Sequence, residues 1–329
     1  LDIAAADSMV FAGVDDLGTI TINQAYFDIH IDAVLDLEHV NVKAIAACKF
    51  KVVVDAVNST GGIAIPLLLE RLGVEPVKLH CEPNGHFPHN PEPLKQHLTD
   101  LSEKVVATRA DFGIAVDPDV DRLAFMDEKG VMFGEEYTLV ACADYILSHK
   151  PGNTVSNLSS TRALRDVTEK YGGTYTASAV GEVNVVNAMK ASNAIIGGEG
   201  NGGIIYPESH YGRDALVGVA LFLSLLAERK IAVSTLRASY PSYFMSKKKI
   251  DLNHTIDVDA ILVAIEAKYS KEKISTIDGV KIDFTNEWVH LRKSNTEPII
   301  RIYTEAPTQH ASNALADKII NEIREVVGV

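Results

Sequence analysis

The chain has 329 residues, 47% of them hydrophobic and 23% charged, an ordinary soluble globular composition with length for two or three domains. Its 31 basic and 44 acidic residues leave a net charge of −13, which excludes a general nucleic-acid or membrane-surface role, because both need a positive field. Cys48, Cys81 and Cys142 stand far apart with no Cys-x-x-Cys pair, as expected of reduced thiols in a cytoplasmic protein.

Residues 1–22 begin with Leu1 rather than methionine and read as the remnant of a preceding unit, with a turn at Asp15-Asp16-Leu17-Gly18. A helix is expected over Ala25–Leu37, then a buried strand, Lys51–Asp55, a helix through Ile65–Leu72 and a strand over Val74–His80. This alternation favours a parallel sheet. Gly61-Gly62 has neither the G-x-G-x-x-G nor the G-K-[ST] pattern and reads as a tight turn. The loop Pro83–Pro93 holds His86 and His89, too few ligands at suitable spacing for a metal site; a helix follows from Leu94 to about Leu101.

Two short apolar runs, Phe112–Val116 and Leu123–Met126, flank Asp117-Pro118-Asp119-Val120-Asp121-Arg122. They read as buried strands joined by an acidic bend. Three carboxylates at alternate positions repel one another unless a cation sits among them, and hard oxygen ligands suit Mg²⁺ or Ca²⁺. An EF-hand is excluded although Glu128 is twelfth from Asp117, because Arg122 stands where that loop needs glycine and the flanks are not helices. Arg122 beside such a site is what phosphate handling requires.

A second strand–helix series follows: helix Gly134–Ser148, strand Thr154–Ser156, helix Thr161–Tyr171, strand Thr174–Ala177, helix from Glu182 to Lys190 and strand Ala194–Ile196. It runs into Gly197-Gly198-Glu199-Gly200-Asn201-Gly202-Gly203, five glycines in seven residues. That loop is expected to let backbone approach a ligand closely, with Glu199 and Asn201 as groups for sugar hydroxyls. Asp214 is the expected N-cap of a buried helix through Ala227, whose apolar run is too short to span a bilayer. Beyond Tyr240-Pro241 come a strand at Lys247–Leu252, a helix at Asp257–Tyr269, strands near Val280–Phe284, Trp288–Leu291 and Ile299–Thr304, and a helix at His310–Val327. Strands adjacent in sequence indicate an α+β domain. Arg292 and Arg301 bracket Ser294, Asn295 and Thr296, a set suited to clamping an oxyanion.

Together D-P-D-V-D-R, G-E-G-N-G-G and R-K-S-N-T-E-P resemble, in order, the metal, sugar and phosphate loops of the α-D-phosphohexomutases, over about residues 23 to 329. The resemblance implies two successive three-layer α/β domains (23–132 and 133–240) followed by a smaller α+β domain (241–329). It implies a Mg²⁺-dependent transfer of a phosphoryl group between C1 and C6 of a hexose phosphate (glucosamine, mannose or glucose), through a bisphosphorylated intermediate. Asp117, Asp119 and Asp121 would ligate Mg²⁺, with Arg122 near the transferred group. Glu199 and Asn201 would hold hydroxyls; Arg292, Ser294, Asn295, Thr296 and Arg301 would hold the other phosphate. Members also carry an N-terminal domain with a T-A-S-H-N-P-like loop and its phosphorylated serine. Here His89-Asn90-Pro91 follows Pro88, which has no hydroxyl, so this chain is expected to lack the carrier and to be inactive alone. Gly203 stands where many relatives have histidine, and Asn201 where they have serine. A non-catalytic sugar-phosphate-binding module and a phosphatase using Asp117 as nucleophile stay open, as does the oligomeric state.

Overall fold

The structure is a computed structural model that describes residues 2–6, 9–23, 25–251, 257–293 and 299–327. A short helix α1 (Asp2–Ala5) lies near the start; α2 (Tyr26–Leu35) and α3 (Val42–Cys48) precede β1 (Lys51–Asp55). Then follow α4 (Gly61–Arg71), β2 (Glu75–Leu79), α5 (Thr99–Thr108), β3 (Phe112–Val116) and β4 (Leu123–Met126). The sheet order is β2-β1-β3-β4, parallel except for β4, which returns antiparallel along β3. Pro76, which cannot donate to a ladder, sits in edge strand β2. The helix expected from Leu94 is a 3-10 turn at Lys95–His97, and the longer helix α5 begins only at Thr99. Only Leu101 and Val105 of α5 are buried, too thin an apolar stripe to mark its extent.

The next unit repeats the plan. After α6 (Glu135–His149) come β5 (Asn153–Asn157), α7 (Ala163–Lys170), β6 (Tyr175–Ser178), α8 (Glu182–Ser192), β7 (Ala194–Glu199) and β8 (Gly203–Ile205). Its order is β6-β5-β7-β8, again parallel with an antiparallel last strand. In each sheet the hairpin between third and fourth strands carries one polar loop, 117–122 in the first and 200–202 in the second.

Two largely buried helices lie between these sheets. They are α6 and α9 (Ala215–Arg229), which pack on each other and on strands of both sheets. Asp214 caps α9, its Oδ1 accepting the N–H groups of Leu216 and Val217 at 2.8 and 3.2 Å. Phe222 of α9 stacks on Phe125 of β4 with ring centroids 3.7 Å apart. One buried apolar cluster therefore runs from Ile31 to Tyr240 through both units.

After α10 (Val233–Ala238) the chain enters β9 (Phe244–Asp251), α11 (Val258–Lys268), β10 (Lys273–Ser275), β11 (Val280–Asp283), β12 (Trp288–Lys293), β13 (Ile299–Ala306) and α12 (Gln309–Val327). The sheet is antiparallel in the order β10-β11-β12-β13-β9, and one face packs on α11 and α12 in a separate apolar cluster. Two α/β/α units followed by a smaller α+β unit are thus the observed architecture.

Polar contacts join the last unit to the second. Lys281 Nζ donates to the Leu158 carbonyl at 2.8 Å, and Arg162 N–H to Glu305 Oε1 at 3.0 Å. His290, 1% exposed, donates from Nε2 to the Asp278 carbonyl at 2.7 Å and accepts at Nδ1 from Ser159 Oγ at 2.9 Å. Burial pushes the His290 imidazole down to about 4. The unfolded chain, with a histidine near 6.5, then binds more protons than the fold between pH 6.5 and 4, so stability falls as pH drops through that window. At about 1.4 kcal/mol per pH unit the whole window is worth about 3 kcal/mol. Urea unfolding at pH 7.5 and pH 4.5 should show a smaller acid loss in His290→Gln than in wild type.

Candidate active site

The acidic bend folds over its own first carboxylate. Asp117, at the end of β3 and 6% exposed, accepts at Oδ1 the N–H groups of Asp121 and Arg122 at 3.1 and 3.0 Å. Val120 takes a left-handed φ of 62°, costly for a β-branched residue. Its carbonyl accepts from Ala215 N at 3.0 Å, and Ser59 and Thr60 hydroxyls donate to the Pro118 carbonyl at 2.5 and 2.9 Å. Asp117, Asp119 and Asp121 each bring a carboxylate oxygen within 4.8 Å of the others.

Burial pushes the Asp117 carboxyl up to about 7, reinforced by Asp121 and Asp119. Burial also raises Asp121, against the pull of Arg213. Asp121 Oδ1 is buried without a hydrogen-bond partner. Arg122 Nε stands 3.5 Å from Asp117 Oδ2 and its Nη1 3.2 Å from Glu92 Oε1. Clustered hard oxygens, one unsatisfied and with too little positive charge nearby, fit a small divalent cation.

The glycine-rich stretch is mostly strand: β7 reaches Glu199, β8 starts at Gly203, and only 200–202 form the bend. The expectation that its glycines open backbone to a ligand is corrected, because protein atoms fill the space of their side chains. A Cβ on Gly200 would lie 2.1 Å from Glu136 Oε2, and one on Gly203 2.3 Å from Arg213 Cδ. Gly202, at φ 90°, would place a Cβ 2.1 Å from the Leu123 carbonyl. That closeness lets Leu123 N–H donate to the Gly202 carbonyl at 3.2 Å, joining the acidic bend to this one.

Glu199, 5% exposed, accepts at Oε1 from Asn157 Nδ2 at 2.9 Å and Gly181 N–H at 3.2 Å. Its Oε2 accepts from Arg213 Nη1 at 2.7 Å. Asn201 Oδ1 accepts from Gly203 N–H at 3.1 Å.

In the last sheet Arg292 of β12 and Arg301 of β13 are directly opposite, and Lys249 of β9 faces Arg301 on the other side. Like charges opposite one another destabilise a sheet unless an anion sits over them. Asp278 Oδ2 offsets part of this, 2.9 Å from Arg292 Nε. Ser294, Asn295 and Thr296 lie outside the described residues.

One cavity of about 420 Å³ gathers these groups: Arg122, Glu199, Asn201, Arg292 and Arg301 all line it. Its volume is that of a small-ligand site. Asp117, Asp119 and Asp121 do not line it. Asp119 faces a second cavity of about 450 Å³ together with His30 and Asp214, and Arg213 lines both.

The structure adds residues that no local motif announces. Glu136 and Lys247 line the main cavity, their Oε1 and Nζ 3.9 Å apart. Glu136 Oε2 accepts from Thr161 N–H at 2.9 Å, and burial pushes its carboxyl up to about 8. Arg213 reaches Asp121, Glu199 and Glu182 together. The only legible signal was a lone arginine opening an apolar helix. His89 meets Asp55 with His80, not with His86: the two imidazoles lie 3.1 and 3.2 Å from Asp55 Oδ2.

Three family models described as phosphoglucomutase/phosphomannomutase match in succession: "alpha/beta/alpha domain II" over residues 28–130, "alpha/beta/alpha domain III" over 134–243 and "C-terminal domain" over 248–322. The chain belongs to the phosphoglucomutase/phosphomannomutase family. It is 32% identical over 316 residues to a "Probable phosphoglucosamine mutase" of Methanopyrus kandleri, covering 95% of this chain and 69% of that one. It is 35% identical over 290 residues to "Phosphoglucomutase/phosphomannomutase" of Thermococcus kodakarensis, covering 88% and 64%. A solved family member from Burkholderia thailandensis superposes with a TM-score of 0.75 at 27% identity, covering 87% and 63%. The chain thus spans about two thirds of the length of these relatives. Among the described residues no helix is long and apolar enough to cross a membrane.

Because Gly202 joins the two bends, Gly202→Ala should part the Leu123–Gly202 bond and destabilise both loops. A drop in melting temperature of several degrees is expected, from a cost of about 2 kcal/mol or more. Gly85→Ala, also at positive φ but with no atom within 4 Å, should cost less.

Proposed function

We propose that this chain is the metal-, sugar- and phosphate-binding part of a phosphohexomutase, which moves a phosphoryl group between C1 and C6 of a glucose, mannose or glucosamine phosphate in the cytoplasm. The observation that carries this reading is the opposed pair Arg292 and Arg301 on the wall of the cavity that Arg122, Glu199 and Asn201 also line. Arg292 and Arg301, with Ser294, Asn295 and Thr296, hold the phosphate that is not transferred. Glu199 accepts from sugar hydroxyls and Asn201 both donates and accepts. Arg122 faces the reacting phosphoryl group and neutralises its equatorial charge.

Asp117, Asp119 and Asp121 would hold Mg²⁺, which supplies further positive charge at the reacting end when bound. The phosphoryl carrier would be a serine outside these residues: His89-Asn90-Pro91, which resembles the end of a serine loop, follows Pro88 and lies in the stretch that matches domain II. These 329 residues therefore bind substrate without turning it over. Turnover passes through the bisphosphorylated sugar, which must reverse in the cavity to present its other oxygen.

Calorimetric titration with glucose 1-phosphate, mannose 1-phosphate and glucosamine 6-phosphate tests the proposal. Arg301→Gln and Arg292→Gln should each weaken binding about tenfold or more, the worth of a charge-assisted hydrogen bond. Binding unaffected by both changes would sink the clamp. Turnover by the 329 residues alone would remove the external carrier; a full-length product that binds but never turns over would favour the non-catalytic module.

Glu136 gives a pH signature. Below about 8 its carboxyl is neutral; above, a new negative charge faces the bound phosphate. Affinity for glucose 1-phosphate should fall between pH 7 and 9 in wild type, and Glu136→Gln should flatten that fall.

A further inference from the structure

Arg213 touches more of the assigned machinery than any other side chain described here, yet no loop motif contains it. Its Nη1 donates to Glu199 Oε2 at 2.7 Å and its Nη2 to Asp121 Oδ2. Nε stands 3.5 Å from Glu182 Oε2, and the Arg213 backbone N–H donates to Glu182 Oε1 at 3.1 Å. One guanidinium, 15% exposed, thus spans a carboxylate of the metal bend, a carboxylate of the sugar bend and a third on α8. It forms a wall of both the main cavity and the one that Asp119 faces.

A divalent cation and Arg213 draw on the same carboxylate: Arg213 holds Asp121 Oδ2, while Oδ1 is buried without a partner. Asp121 cannot give its full charge to both, and a compact dication among three carboxylates outcompetes a delocalised monocation. Resting on the function proposed above, we infer that Arg213 is the positioning residue that couples cation binding to sugar-phosphate binding. Without the cation it occupies Asp121 and Glu199 together, neutralising both loops and withholding Glu199 Oε2 from hydroxyls. With Asp121 engaged by the cation, Arg213 keeps Glu199 and Glu182 and its Nη2 is released toward the main cavity, where an anionic ester is to bind. The residue at 203 is part of the device. The Arg213 stem lies over Gly203 so closely that any Cβ there would displace it.

A purely structural ion pair would leave the two ligands independent. The thermodynamic cycle decides, using Mn²⁺ and glucose 1-phosphate with the 329-residue chain: Mn²⁺ by electron paramagnetic resonance, the sugar phosphate by calorimetry, each with and without the other. Wild type should show each ligand tightening the other by one common factor of at least about fivefold. Arg213→Gln should bind Mn²⁺ alone more tightly, through loss of a competing cation, while the common factor falls toward one. Gly203→Ala displaces the guanidinium without removing charge and should lower the same factor. Arg213→Lys, keeping the charge but not the fork, should fall between and carries the test if the glutamine variant does not fold.

Unchanged coupling in all three variants, weaker Mn²⁺ binding in Arg213→Gln, or ligands that bind wild type independently would overturn the inference and leave the proposed function standing. A wild-type chain that binds neither ligand would overturn both.

Discussion

Crowding three carboxylates into one bend, the first of them buried at the end of a strand, is the constraint that shapes this molecule. Water screens the buried Asp117 poorly, so positive groups within reach are recruited. Asp117 takes two backbone N–H groups of its own loop, Asp121 takes Arg213, and Arg122 lies between Asp117 and Glu92. The loop can be held so tightly only because its surroundings are fixed from three directions. The start of α4 grips Pro118, the start of α9 grips Val120, and the second sheet's hairpin grips Leu123. One electrostatic demand thus sets the relative placement of elements far apart in sequence.

The same logic explains how an acidic chain presents an anion site. The total of −13 describes the surface as a whole, whereas one face of the last sheet concentrates cations. Lys249, Arg301 and Arg292 form one cross-strand row; Lys247, Tyr303, His290 and Lys281 form the next. The opposite face is apolar and covered by helices. Alternation along strands sorts charge to one side without any long basic run.

What the sequence made legible were the features whose chemistry is local. Alternate aspartates after an apolar run announce themselves because their neighbours along the chain are also their neighbours in space, and Arg292 and Arg301 because a hairpin sets them opposite one another. Asp214 as a cap and the buried helix after it were readable for the same reason. Glu136, Lys247 and Arg213 were not, since each acts across an interface between elements that sequence order does not pair. The glycines of 197–203 also serve close contact with Met189, Glu136 and Arg213, and of the five only Gly200 lines the main cavity. Short α3 and polar α5 escaped because their helical signal comes from packing rather than from a broad apolar stripe.

The two kinds of junction in the chain differ in what parting them would expose. Between the first two sheets lies a continuous greasy seam through α6 and α9, and opening it would wet large aromatic surfaces such as Phe125 and Phe222. Between the second and third sheets lies a polar seam of Ser159 on His290, Lys281 on the Leu158 carbonyl and the buried Arg162 on Glu305 and Asp283. Parting the first would wet apolar rings, whereas parting the second would strip buried charges of their partners, so the basic sheet leans on a dry base through paired charge rather than through grease.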